Sequence, residues 1–216
     1  IPEAALVQLL RSKAVLLPGC EVDYRNEKSG ADEHWKYEGG LKEYLLSELK
    51  ADPLIEPFEA SGFADEHTEG YSAGEGASWV VCWTAEGPLT RESYVNLIPT
   101  PQGGTHESGL KDGLFQAMRA FMDAHGLQTK GVKVLAEDVF GRANFILSTK
   151  ALDPQFQGQT KDKLTSVKAI RLIEQAVKDS FDHWLSSDKE NATALLEYVI
   201  ERAESRKKKK EEKAGE

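Results

Sequence analysis

Steps of three and four residues between apolar side chains predict the helices of this chain. The clearest examples are the segments 108–126 and 167–184, and the same spacing predicts shorter helices at 1–13 and 41–51. Gly126 closes the first of these segments, in the position where a glycine commonly ends a helix. The pattern therefore predicts two long amphipathic helices in the second half of the chain.

A last helix is predicted near the C-terminal end. Ser187 and Glu190 have the spacing of a capping box, and Leu195 and Val199 follow on one face. Six basic and two acidic side chains then occupy 206–213, so the helix is expected to end in a basic segment. From charge alone, a solvated helix end is the commonest interpretation of such a run.

Alternation of apolar and polar side chains, or a short apolar run, predicts the strands. The segments with these patterns are 14–19, 20–25, 34–39, 78–87, 92–100, 131–138 and 144–152. The pair 20–25 and 34–39 is predicted to form one hairpin, and the pair 78–87 and 92–100 a second antiparallel pair. Residues 59–77, rich in glycine and charge, are expected to form a loop or an edge hairpin.

The order of these elements predicts an α+β domain with helices gathered on one face of a mixed or antiparallel sheet. The terminal helix is expected to project from it. With 216 residues the chain is long enough for one domain to bury a full core. Trp79, Val81 and Trp83 alternate along one strand and are expected to lie in that core.

Cysteine usage and charge limit the class of protein. Cys20 and Cys82 both lie in strand-like segments, which indicates buried thiols in a reducing compartment rather than a disulfide framework. No apolar run has the length of a membrane span, so a cytosolic protein without a membrane partner is expected. The formal net charge of -9 excludes a surface coated with nucleic acid, although it permits a local basic patch.

No complete active site can be assembled from the motifs of this chain. The five histidines have neither the i, i+4 spacing nor the nearby cysteines of a zinc site, so no metal ligand is predicted. A Walker A loop, a G-x-S-x-G elbow and a dinucleotide fingerprint are all missing from the sequence. The turn "QGGTHESG" at 102–109 precedes a helix and is a weak anion-binding signal, because paired glycines more often meet a backbone requirement.

The loop "DPQFQGQTKDKL" at 153–164 is polar and offers almost nothing to bury. Taken alone, Lys161 in this loop is most simply a solvated charge. A lysine on a loop nevertheless has the reach to meet a terminal phosphate that another domain presents. The phosphate pocket would then lie outside this chain.

Several long motifs occur together and in a characteristic order: "LLRSKAVLLPG", "YVNLIPTPQGGTHESGLKDGL" and "GVKVLAEDVFGRANFILSTKALDPQFQGQTKDKL". In this combination the chain resembles the transducer region in the ATPase subunits of bacterial type IIA topoisomerases. The sequences of these motifs are nearer to the topoisomerase IV branch than to the gyrase branch, because Gln102 precedes the glycines and "DPQFQGQTK" stands in the loop.

The resemblance implies a fold and a division of the chain. It implies a ribosomal protein S5 domain 2-like fold that follows an ATPase domain of the GHKL type. Residues 1–13 would be a lead-in helix from that absent domain, 14–186 the transducer, and 187–216 a helix and basic tail leading towards the cleavage core. An opening at Ile1 fits an excised part of a longer polypeptide.

The resemblance also implies roles for three side chains. Gln159 and Lys161 match the family's "QTK" loop, which contacts the nucleotide, and Lys161 would be the catalytic residue that stabilises charge on the γ-phosphate. Lys111 stands where gyrase-like relatives carry an arginine that lines a DNA cavity; a solvated helix lysine is an equally good interpretation. ATP and Mg²⁺ would be bound mainly by the absent domain, so the isolated chain is expected to be inactive.

The implied partners are duplex DNA, the A subunit of topoisomerase IV and a second copy of the B subunit, in the bacterial cytoplasm near the chromosome. Three alternatives stay open at this point. The chain could be a gyrase transducer, a self-contained small-molecule kinase of related fold, or a non-catalytic interaction module. The kinase alternative requires a phosphate loop of its own, and 102–109 lacks the spacing of one.

Overall fold

A computed structural model describes residues 1–127 and 131–215 of the chain. Residues 128–130 and Glu216, the last residue of the predicted basic tail, lie outside the described part. The helices are α1 (Glu3–Leu16), α2 (Gly40–Glu48), α3 (Thr105–Ala124), α4 (Ala136–Phe140), α5 (Val167–Ser187) and α6 (Lys189–Ala214). The strands are β1 (Glu21–Arg25), β2 (Asp32–Lys36), β3 (Phe58–Phe63), β4 (Gly76–Trp83), β5 (Arg91–Val95), β6 (Ile98–Pro99) and β7 (Ala143–Lys150).

The central sheet has five strands in the order β3-β4-β7-β5-β6, and it is mixed because β5 runs parallel to β7. The predicted antiparallel pairing of 78–87 with 92–100 is therefore wrong, since β7 lies between β4 and β5. Asn144, at the start of β7, bonds to the connection that leads from β4 to β5. Its side-chain amide donates to Cys82 O (3.1 Å) and Thr84 Oγ1 (2.9 Å), and its Oδ1 accepts from Thr90 N (2.8 Å). This side chain holds both ends of the short connection across the start of β7.

Two segments predicted as strands form no strand and are partly helical. Residues 14–16 continue α1, because Ala14 and Val15 are buried on the same face as the preceding turn, and the helix closes with Leu17 N–H donating to Lys13 O at 3.1 Å. The lead-in helix predicted to stop at residue 13 therefore runs through Leu16. Within 131–138 no strand forms, and Ala136 begins α4.

The predicted start of the last helix is also corrected. Ser187 is the final residue of α5, and Asp188 is the N-cap of α6, with its Oδ1 accepting from Asn191 N at 3.1 Å. A carboxylate at this position satisfies an amide that has no partner within the helix. The chain therefore turns from α5 into α6 through a single residue.

One face of the sheet carries the main core. Trp79, Val81 and Trp83 of β4 pack there against α3, α5 and α6, as predicted. The opposite face is also partly covered, which the prediction did not include: Val80 and Cys82 contact a smaller cluster with Tyr44 of α2. Segment 59–77 supplies β3 at the sheet edge. The predicted fold class, an α+β domain with a mixed sheet and a long projecting terminal helix, is confirmed, although the helices are not confined to one face.

Glycines set the close approach of α3 to α5. A Cβ at Gly109 would lie 2.8 Å from Ile170 O, and one at Gly113 would lie 2.7 Å from Glu174 O. Both contacts are shorter than real Cβ atoms tolerate, so the two backbones meet only because side chains are absent there. Close-packed layers of this kind transmit displacement as rigid units.

The terminal helix α6 is buried only over its first half. Its buried side chains run from Ala192 to Ala203, and every described residue after Arg206 is exposed. Arg206 itself fastens the helix to α4 through paired hydrogen bonds to Asp138. The basic segment thus extends beyond the packed domain, as predicted for a projecting helix.

Candidate functional site

The loop between β7 and α5 stands on a ladder of main-chain hydrogen bonds. Gln157 N donates to Lys163 O at 2.9 Å, and Thr165 N donates to Gln155 O at 2.7 Å. The two limbs of the loop are thereby paired as in a short antiparallel ribbon. Its tip, residues 158–161, is exposed and lies above these bonds.

A third segment, the glycine-rich turn before α3, joins the same ladder. Leu164 N donates to Gly103 O and Thr105 N donates to Leu164 O, each at 3.0 Å. Gln102 N donates to Asp162 O, also at 3.0 Å. The loop is therefore bonded directly to the first turn of α3.

Gly104 makes this contact possible. Its φ is +139°, and a Cβ built on it would lie 2.2 Å from Leu164 O and 2.6 Å from Leu164 N. Both the dihedral angle and the space require glycine. Of the two interpretations that the sequence left for this turn, the structure supports the backbone requirement.

An apolar anchor lies beneath the ladder. The Leu164 side chain is fully buried with Val95 and Ala169, and half-buried Phe156 packs against this group. The loop that looked unable to bury anything therefore buries one leucine, at its foot. This anchor fixes the loop while leaving its upper part polar.

Gln159, Thr160 and Lys161 form the exposed tip. Lys161 has a φ of +59°, and its Nζ lies 6.0 Å from the centroid of the Phe156 ring. Within the described ranges no carboxylate forms an ion pair with Lys161. Its ammonium group is thus available to an anion that comes from outside this part of the chain.

A buried polar chain runs below the first turn of α3. The His106 Nε2 and Thr100 Oγ1 atoms lie 2.8 Å apart, and the Ser93 hydroxyl donates to Glu107 Oε2 at 2.5 Å. Thr100 and Ser93 are themselves hydrogen bonded, with 2.9 Å between their hydroxyl oxygens. These four side chains connect β5 to the start of α3, the helix to whose first turn the loop is hydrogen bonded.

Burial shifts the pKa of both titratable groups in this chain. Desolvation lowers the pKa of His106 to about 4, so the ring is neutral, and its Nδ1 has no hydrogen-bond partner among the described residues. Burial also raises the pKa of Glu107, although Ser93 and the charge of Arg91 act in the opposite direction. Sequence reasoning missed His106 because it was judged only as a possible metal ligand. Its place one residue after "GGT" was the available signal.

Lys111 lies on α3, about 9 Å along the axis from Thr105 at 1.5 Å per residue. Its Nζ is 3.6 Å from Glu137 Oε2 of α4 and 5.9 Å from the centroid of the Phe140 ring. The side chain keeps 37% of its exposure. Lys111 is therefore partly exposed but already paired, in contrast to Lys161.

A cavity of about 770 Å³ opens between α1, β5 and the glycine-rich turn, and Lys161 is not among its lining residues.

In residues 1–127 and 131–215 no three His, Cys, Asp or Glu side chains are grouped closely enough to hold a metal ion. Across the same residues, none of the helices combines the length and apolarity of a membrane span.

Comparison with known proteins extends these observations. Residues 40–214 match the family model described as DNA gyrase B. The chain is 41% identical to the B subunit of DNA topoisomerase 4 from Pseudomonas aeruginosa over 206 residues, which are 94% of this chain and 32% of that protein. It is 39% identical to the protein of the same name from Escherichia coli K12, covering 93% of this chain and 31% of that one. The chain thus spans about a third of the curated relatives that it matches.

Solved structures agree in fold. The topoisomerase IV ATP-binding domain of Francisella tularensis superimposes with a TM-score of 0.79 at 35% identity, covering 95% of this chain and 54% of that one. The 43K ATPase domain of Thermus thermophilus gyrase B superimposes with a TM-score of 0.82 over 99% of this chain and 56% of that one; at 23% identity it supports the fold alone. The resemblance inferred from the motifs is confirmed, and the chain belongs to the DNA gyrase B family of type II topoisomerase subunits.

Proposed function

We propose that this chain is the transducer module of an ATP-dependent type IIA DNA topoisomerase of the topoisomerase IV branch. It couples ATP binding and hydrolysis in an adjoining GHKL domain to closure of a DNA clamp and to strand passage. The observation that carries the proposal is the exposed tip at 159–161, which rests on a rigid base and presents an ammonium group without a carboxylate partner in the described ranges. The topoisomerase names of the relatives support it.

Lys161 would contact the γ-phosphate, and Gln159 would hydrogen bond to the same nucleotide. An ammonium group aimed at the terminal phosphate stabilises the charge that develops there, and the interaction strengthens when water is excluded. The residues at the tip fit this role because they are polar and exposed, and because Lys161 forms no ion pair with a carboxylate within the described ranges. ATP and Mg²⁺ would be held by the adjoining domain, and Mg²⁺ would supply charge neutralisation at the phosphates.

The remaining parts follow from the same proposal. With the boundaries that the helices give, residues 1–16 would lead in from the ATPase domain, 17–187 would form the transducer, and 188–216 would lead towards the cleavage core, with basic residues near DNA. Lys111 would contact a DNA phosphate after its ion pair with Glu137 breaks. The partners would be duplex DNA, the A subunit and a second B subunit, in the bacterial cytoplasm, and the enzyme would act in decatenation and chromosome segregation.

Chemical labelling of lysines tests the contact directly. The complete ATPase subunit is treated with an amine-acylating reagent in the presence of ADP or a non-hydrolysable ATP analogue, and acylation at each lysine is measured by mass spectrometry. Lys161 should be protected by the analogue but not by ADP, because only the analogue carries a γ-phosphate. Lys163, exposed in the same loop, is the internal control and should react equally in both states.

Equal labelling of Lys161 in the two states would remove the nucleotide contact and favour a non-catalytic interaction module. A second measurement addresses the kinase alternative. The chain alone should show no ATP turnover, because the phosphate pocket is proposed to lie in another domain. Steady turnover by the purified chain would contradict the transducer assignment.

A further inference from the structure

The base of the Lys161 loop is the meeting point of three backbone segments. Leu164 exchanges two main-chain hydrogen bonds with the turn at 103–105, both at 3.0 Å, and Asp162 accepts a third from Gln102. Asp162 is the immediate neighbour of Lys161 in the chain. The orientation of the lysine is therefore set by a turn some sixty residues earlier in the sequence.

Gly104 is the residue at which this meeting is closest. A Cβ there would lie 2.2 Å from Leu164 O, 2.6 Å from Leu164 N and 2.9 Å from Leu164 C. All three are backbone atoms, which do not swing away as the end of a flexible side chain does. Any side chain at this position has to push the loop away from α3.

The glycine-rich turn is continuous with α3, and α3 is packed rigidly. Gly109 and Gly113 bring α3 into backbone contact with α5, and Lys111 projects from the same helix towards Glu137. A displacement at the base of the loop is thus applied to a helix rather than to a flexible linker. The hydrogen bonds of Leu164 are the direct connection between the two.

We propose that Gly104 is a positioning residue for Lys161, and that it fuses the loop to α3 so that the two move as one body. The proposal rests on the proposed function, because a fixed position of Lys161 is useful only if Lys161 contacts the nucleotide. The two glycines before α3 then serve the phosphate indirectly. They hold the loop whose lysine contacts the phosphate.

Amide hydrogen exchange in the complete, nucleotide-free ATPase subunit tests the positioning. Gly104→Ala should speed exchange at the Leu164 and Gln157 amides by about tenfold or more, because both amides depend on the ladder. Gly30→Ala is the matched control. Gly30 also has a positive φ, +76°, but a Cβ there meets nothing within 4 Å, so exchange in the loop should not change.

Turnover and nucleotide binding then show whether the effect passes through Lys161. Gly104→Ala should lower ATP turnover while retaining ATP binding, as is expected of Lys161→Ala. The double variant should be no slower than Lys161→Ala alone, because a residue that acts only through Lys161 has nothing further to remove. Phe156→Ala, which loosens the half-buried cover of Leu164, should show the same pattern more weakly and serves if Gly104→Ala does not fold.

The outcomes separate this inference from the proposed function. If Lys161→Ala abolishes turnover while Gly104→Ala matches the wild type in exchange and turnover, the positioning role is wrong and the function stands. An additive double variant would also overturn it. If Lys161→Ala leaves turnover intact, the proposed function fails, and the exchange rates at Leu164 alone decide whether Gly104 fixes the loop.

Discussion

Two lysines near α3, Lys161 and Lys111, have opposite surroundings. Near the start of the helix, Lys161 is held through main-chain bonds at its loop base and forms no ion pair with a carboxylate in the described residues. Two turns further on, Lys111 projects from the helix itself and already pairs with Glu137. An exposed pair of this kind is worth at most about 1 kcal/mol, so a phosphate can replace the carboxylate. Lys161 thus has a fixed backbone and, among the described residues, an unpaired charge, whereas Lys111 has a charge whose carboxylate partner can be exchanged for a phosphate.

The largest expected effect is at the loop tip. Lys161→Ala in the complete ATPase subunit should lower ATP turnover by about 10²–10³-fold, the usual cost of one donor that stabilises transition-state charge. Nucleotide binding should persist, because most contacts lie in the adjoining domain. Steady-state turnover and equilibrium binding of an ATP analogue measure the two. Lys163→Ala removes an equally exposed lysine and should stay near wild type; matching losses in both variants would reduce the effect to general loop charge.

The second prediction concerns pH and the buried support below the loop. Folded protein keeps His106 neutral down to about pH 4, whereas the unfolded chain takes up the proton near 6.5. Between these values the unfolded state binds more protons, so the free energy of unfolding falls as the pH falls, by up to about 3 kcal/mol. Denaturant titrations from pH 7 to 4.5 measure this loss.

The control for this prediction is His106→Gln, which removes the titrating ring and retains a polar side chain for Thr100. Its stability should depend less on pH across the same window. If the slopes of wild type and variant coincide, His106 is not held neutral by burial, and the proposed buried support below the loop is wrong.

The third prediction concerns α4, the short helix that positions Glu137 beside Lys111. Asp138 is almost fully buried; it accepts from Arg206 at 3.0 and 3.1 Å and from Leu135 N at 2.8 Å. Asp138→Asn should lower the free energy of unfolding by about 2 kcal/mol, because one charged partner of a buried network is lost. Glu211→Gln, which breaks only the exposed contact with Lys207 at 3.9 Å, should change it by less than about 0.5 kcal/mol. Chemical denaturation compares the two.

The smallest effect is expected at Lys111. Lys111→Ala should reduce DNA stimulation of ATP turnover by about threefold, since one phosphate contact contributes modestly and in a salt-dependent way. Glu137→Gln should act in the opposite direction, because it releases the lysine from its carboxylate. Stimulation is measured against DNA concentration at two salt concentrations. Stimulation that neither variant changes would end the proposed DNA role of Lys111.

Prediction from the sequence succeeded where one local pattern decides the structure. The amphipathic repeats became α3 and α5, and the stop at Gly126 is real, with a φ of +62°. It failed where several patterns compete. Residues 14–16 have the pattern of a strand but complete α1. The segment 131–138 also has the pattern of a strand but contains the start of α4. Apolar runs of this length suit either state, and only burial against neighbouring elements selects one.

For the candidate site, the motif located the tip and tertiary structure supplied everything below it. Gln159, Lys161 and Lys111 could be named from the sequence, and their roles remain predictions. His106 could not be ranked, because its complete burial and its bond to Thr100 depend on how the start of α3 packs in the fold. The purpose of Gly104 was likewise invisible until Leu164 was found against it.

By itself, the sequence determined the helical repeats, the polar tip of the loop and the family, since each of these is written in neighbouring residues or in the order of motifs. Tertiary structure alone decided that β7 separates β4 from β5, that α1 and α2 cover the second face, and that the glycine-rich turn grips the Lys161 loop. These contacts join residues far apart in the chain. Their free energy comes from burial and from backbone pairing across elements, which no local pattern of side chains encodes.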